Sequence, residues 1–161
     1  MRVFVAGASG AVGGRLLPLL VSAGHSVVGL TRAPARAESI RRVGAEAAIA
    51  DALNRAAIVK AVASAKPDVI VHEMTSLRAA NDLRRVERSF ALTNRLRTEG
   101  LQNLLAAARQ AGTPRIVAQS FCGCPVPALG DQSNRKKTRS IPSRRESCAV
   151  RSRPFVILNT L

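Results

Sequence analysis

Gly7-Ala8-Ser9-Gly10-Ala11-Val12-Gly13 stands directly behind the apolar run Arg2–Ala6 and opens a segment of helical period. Glycines at this spacing suit a strand that turns at once into a helix. The first permits the tight turn, the second lets the backbone approach a pyrophosphate, and the third lets helix and strand pack closely. Unpaired N–H groups at the helix start, aided by the helix dipole, then favour an anion held over Gly7, Ser9, Gly10, Ala11, Val12 and Gly13. The alternative is a glycine-rich turn with no ligand.

The rest of the chain agrees with that opening. Short β-branched runs alternate with longer segments of helical period, the pattern of βαβ units and a parallel sheet. Strands are expected at Arg2–Ala6, 26–30, 45–50, 68–72 and Arg115–Gln119, with helices over 11–23, 34–43, 55–64 and 99–111 and a further helix over 83–90. Right-handed crossovers from a glycine-rich first unit reverse direction beside the first strand, so the expected order is 3-2-1-4-5 in a doubly wound α/β fold. After Cys122 the pattern stops. Five prolines and glycines (Pro125, Pro127, Gly130, Pro142, Pro154) interrupt a Ser-, Arg- and Lys-rich stretch in which only 155–158 is apolar enough for a strand. We therefore expect a domain over 1–124 and an irregular, poorly ordered basic tail over 125–161, which would leave Arg115–Gln119 as an exposed apolar edge.

A net charge of +15 over 161 residues invites a polyanionic partner, but its distribution argues otherwise. Residues 1–124 hold 17 basic and 8 acidic side chains, whereas 125–161 hold 8 and 2, so the excess is densest in the tail. With no Trp or Tyr and only four Phe, nothing interleaves with those charges to stack nucleobases, and a solvated tail is favoured over nucleic-acid binding. No apolar run is long enough to span a membrane, and Val3–Ala6 leads into glycines instead of a signal-peptide cleavage region, so the expected compartment is the cytoplasm. Cys122, Cys124 and Cys148 lack metal-ligand spacing and read as unpaired thiols.

The G-x-x-G-x-x-G spacing, the later Asp51, the segment Gly100-Leu101-Gln102-Asn103-Leu104-Leu105-Ala106-Ala107-Ala108 and the strand Arg115–Gln119 ending at Ser120 together resemble an extended short-chain dehydrogenase/reductase of the NAD-dependent epimerase/dehydratase type. The likeness runs from Met1 to about Pro125 and implies the NAD(P)-binding Rossmann fold. Leu101 stands where the family's helix usually carries threonine. By the resemblance, Ser120 is the catalytic serine that polarises a carbonyl, and the Asp51-Ala52 segment meets the adenine, with the Asp51 carboxylate accepting its amino group. An ordinary helix-capping role ahead of Asn54 is the other reading of Asp51. At the end of the second strand, where a carboxylate would favour NAD, the chain has Thr31-Arg32. A guanidinium there pairs with a 2′-phosphate and favours NADP, with NAD as the alternative if Arg32 is merely solvated. His72 and Thr75 close the fourth strand beside the expected nicotinamide ribose, although His72 also reads as an ordinary strand-end histidine.

One part of the family's chemistry is missing. Its proton donor is the tyrosine of Tyr-x-x-x-Lys, and these 161 residues contain no tyrosine, so Lys136 and Lys137 have none to act on. No substrate-binding segment is recognisable either. Written in plausible codons and read two bases later, 130–138 and 154–160 both yield family-like segments, so a frame slip near Pro125–Val126 is one explanation of the basic, aperiodic tail. The resulting expectation is a dinucleotide-binding fragment of an epimerase/dehydratase-like oxidoreductase with little or no catalysis, its small-molecule substrate and oligomeric state unspecified. A non-enzymatic NADP sensor and a basic-tail nucleic-acid binder are the competing classes.

Overall fold

A computed structural model describes residues 1–76, 86–119 and 155–159. Met1–Ala118 and Ile157–Leu161 form one compact unit and Gln119–Val156 a second. The strands are β1 (Arg2–Ala6), β2 (Ser26–Thr31), β3 (Glu46–Ile49), β4 (Val69–His72), β5 (Arg115–Gln119) and β6 (Phe155–Asn159). Their order is β3-β2-β1-β4-β5-β6, and the four pairings from β3 through β5 are parallel. The expected order 3-2-1-4-5 is therefore present. The expected bare edge at β5 is not, because β6 lies beside it. Apart from β6, the residues expected to form a poorly ordered tail lie outside the described residues.

The helices are α1 (Gly13–Ser22), α2 (Ala37–Arg42), α3 (Arg55–Ala65), α4 (Val86–Arg95) and α5 (Leu101–Ala111). A 3₁₀ turn, Pro34–Arg36, precedes α2, and the five-residue π-helical segment Leu96–Gly100 joins α4 to α5. The helix expected over 83–90 is thus, within the described residues, the start of a continuous run into α5.

Alternation along β1 explains the two-layer core. Val3 and Val5 point toward α1 and α2, where they meet Leu17 and Ile40. Phe4 and Ala6 point the other way, with Ile70 and Ile116, onto Ile58 and Val62 of α3 and Leu104, Ala107 and Ala108 of α5. A strand buried on both faces reads as a continuous apolar run, which is why Arg2–Ala6 carries no polar alternation. At the free edge, β3 is wetter, with Ile49 half exposed. The carboxyl ends of β1, β2 and β4 consequently share one rim of the sheet, where ligands of this architecture bind.

Candidate dinucleotide site

The turn after β1 is built around three close approaches. Gly7 adopts φ +95°, and a Cβ there would lie 2.7 Å from the Glu73 carbonyl oxygen. A Cβ on Gly13 would collide with the Gly7 carbonyl oxygen and stand 2.8 Å from the Ala8 Cα. The Gly10 N–H donates to the Gly7 carbonyl at 2.9 Å, and the Ala8 N–H donates to the Leu30 carbonyl at 3.2 Å, which pins the loop to β2. Gly10, Ala11 and Val12 are exposed at its top. Helix α1 begins here with no side-chain cap and no acid in its first turn. An uncapped helix N-terminus behind a glycine-rich cradle fits a pyrophosphate, whose oxygens would accept from the open N–H groups.

The end of β2 adds hydroxyls and cations. Thr31 is buried, its Oγ1 lies 3.0 Å from the Ser9 Oγ, and it accepts the Ala33 N–H at 3.2 Å. Arg32 is exposed on the rim. The arginine that touches the glycine-rich loop is Arg36, whose guanidinium donates to the Ser9 carbonyl at 3.0 Å. Nothing local in the sequence marks Arg36, because only the 3₁₀ turn Pro34–Arg36 brings it back over the loop.

On the α3–α5 face, Asp51 is exposed. Its Oδ1 accepts the Leu53 N–H at 2.9 Å, and its carbonyl accepts the Asn54 N–H at 3.0 Å. The cap of α3 is Asn54, whose Oδ1 accepts the Ala57 N–H at 3.1 Å. Ala52 is buried and its carbonyl accepts from the Asn103 side-chain amide at 2.9 Å. Gly100 admits the close packing behind it, since a Cβ there would stand 3.2 Å from the Met74 Cε. Asn103 thereby holds the Asp51-Ala52 loop against α5, a role that the Gly100–Ala108 pattern by itself does not show.

His72 is buried at the end of β4. Its Nδ1 accepts the Met74 N–H at 3.2 Å, so the proton sits on Nε2 and is donated to the Leu96 carbonyl at 3.1 Å. Burial, joined by the charge of Arg97, pushes its pKa down against the opposing Leu96 hydrogen bond. Both ring nitrogens are thus engaged with backbone, tying β4 to the π-helical segment. Ser120 lies outside the described residues. Among the described residues no cluster of His, Cys, Asp or Glu could hold a metal, and no helix is long and apolar enough to cross a membrane.

Comparison with known proteins agrees with this geometry. Residues 7–147 match the family described as NAD(P)H-binding. The chain belongs to that family. Among its relatives, a 3-diazoavenalumate denitrifying reductase of a Streptomyces species is 46% identical over 127 residues, which is 79% of this chain and 40% of that protein. The 4-hydroxy-2-methyl-3-oxo-4-farnesyl-3,4-dihydroquinoline-1-oxide ketoreductase of Stigmatella aurantiaca is 34% identical over 119 residues, or 73% of this chain and 32% of that protein. This member of the NAD(P)H-binding family therefore spans 40% or less of the length of these two relatives. The UDP-glucose 4-epimerase of Brucella ovis, solved in complex with NAD, shares the fold at TM-score 0.63 and 22% identity, over 78% of this chain and 38% of the epimerase.

Proposed function

We propose that this chain holds NADPH, in preference to NADH, across the carboxyl ends of β1, β2 and β4 as the nucleotide-binding part of a reductase. The observation that carries the reading is the junction of the Gly7–Gly13 cradle with the end of β2. There Arg36 donates to the Ser9 carbonyl, Arg32 stands exposed just past the end of β2, and no carboxylate stands between Thr31 and Ala37. Two guanidiniums favour a 2′-phosphate, whereas a ribose 2′-hydroxyl calls for the acid that is missing. Gly7, Ser9, Gly10, Ala11, Val12 and Gly13 take the pyrophosphate, and Asp51 and Ala52 face the adenine.

When bound, NADPH supplies a hydride for the reduction of an electrophilic acceptor. The two curated relatives are named as reductases, which favours net reduction over epimerisation. His72 acts by position, holding the end of β4 still while its ring stays neutral. Ser120 is assigned the polarisation of the acceptor. Without a tyrosine in these 161 residues no side chain takes the family's acid role, so turnover by this chain is slight or nil. The reading places the protein in the cytoplasm. Calorimetric titration of the purified chain with NADPH and with NADH tests the proposal. It expects saturable binding with tighter NADPH, and equal or reversed affinities would refute it.

A further inference from the structure

Glu73 follows β4 and stands against the first glycine of the cradle. Its N–H donates to the Ala6 carbonyl at 2.8 Å, extending the β1–β4 ladder past His72, and its own carbonyl is the group a Gly7 Cβ would meet. Ile70 and Met74 belong to the core on the α3–α5 face, whereas Val69 and Val71 pack on the α1–α2 face. Glu73 shares the parity of Val69 and Val71, so it belongs to the face on which α1 begins. One of its carboxylate oxygens, Oε2, is out of solvent and has no hydrogen-bond partner among the described residues. Burial pushes its carboxyl pKa up. A buried oxygen of this kind calls for a donor.

The chemistry of a dinucleotide narrows what that donor is. Phosphate oxygens only accept, so the donors beside a pyrophosphate seated on Gly7–Gly13 are the ribose hydroxyls on either side of it. Strands β2 and β4 flank β1 on opposite sides. The β2 side carries Thr31, Arg32 and Arg36, which suit the phosphate-bearing adenosine half, and the β4 side is left for the nicotinamide half. We propose that the Glu73 carboxylate accepts hydroxyl hydrogen bonds from the nicotinamide-side ribose. This inference rests on the nucleotide site proposed above.

The test titrates the full chain and its Glu73→Leu and Glu73→Gln variants with NADPH and with adenosine 2′,5′-bisphosphate, which lacks the nicotinamide-side ribose. Glu73→Leu is expected to weaken NADPH about tenfold and to leave the bisphosphate unchanged, the size of one hydrogen bond to a charged group. Glu73→Gln, which keeps an acceptor and the shape, should fall between. Unchanged NADPH affinity in both variants would overturn the assignment to Glu73 alone. Equal changes for both ligands would also overturn it, in either direction, because they mark a structural role or simple repulsion of phosphate. A wild-type chain that binds neither ligand would instead sink the nucleotide site, and this inference with it.

Discussion

The Arg36 guanidinium donates to the Ser9 carbonyl at 3.0 Å, so the turn after β2 is fastened to the glycine-rich loop by a residue four places beyond Arg32. Both arginines then bear on cofactor choice. Replacing Arg32 by Asp should reverse the preference for NADPH over NADH. Arg36→Ala should weaken NADPH by roughly ten- to a hundredfold, as expected for a lost charge-assisted contact, and NADH by less, through the loosened loop that both cofactors share. Calorimetry on both variants checks this, and unchanged selectivity in Arg32→Asp would remove that residue from the site.

Gly13 admits no side chain. A methyl group there meets the Gly7 carbonyl and the Ala8 backbone, neither of which is a flexible side-chain end. Gly13→Ala should cost about 1–3 kcal/mol of stability through overpacking and should abolish NADPH binding by moving the cradle. Urea unfolding and titration read the two effects separately. A variant as stable as the parent would show that helix and strand do not pack as closely as the structure has them.

The neutral, doubly bonded His72 makes stability depend on pH in a definite direction. Its pKa is lowered in the fold from the ordinary 6.5, chiefly by burial. As pH falls below that ordinary value, the unfolded chain takes up a proton that the folded chain refuses. The stabilising contribution is therefore full above it and is lost progressively toward the lowered folded value. Urea midpoints between about pH 5 and pH 7 should decline more steeply for the parent than for His72→Gln. Parallel declines would mean that the imidazole is charged in the fold.

Catalysis should be absent or very slow when the 161 residues are assayed with NADPH and a panel of carbonyl and nucleotide-sugar acceptors. The missing acid alone removes a factor of about 10²–10⁴. Turnover that disappears in Ser120→Ala or Gly10→Val would contradict this and return the chain to the active enzymes.

The features legible in the sequence were those with local causes. The run Arg2–Ala6, the glycine spacing behind it and the alternation of apolar runs with helical segments foretold the parallel sheet, the order of β1–β5 and the tight glycine turn from β1 into α1. Each depends on strand burial, backbone conformation or chain handedness within one βαβ unit. What only the tertiary structure decided involves partners far apart in sequence. Arg36 reaches Ser9 across 27 positions, Asn103 holds Ala52 across 51, and His72 engages Leu96 across 24. The placement of β6 beside β5 belongs with them, since a weak apolar run at 155–158 carries no local mark of its neighbour. Periodicity tells which face of an element is apolar. It does not tell which polar atom will meet which, because that depends on distances set by packing between elements.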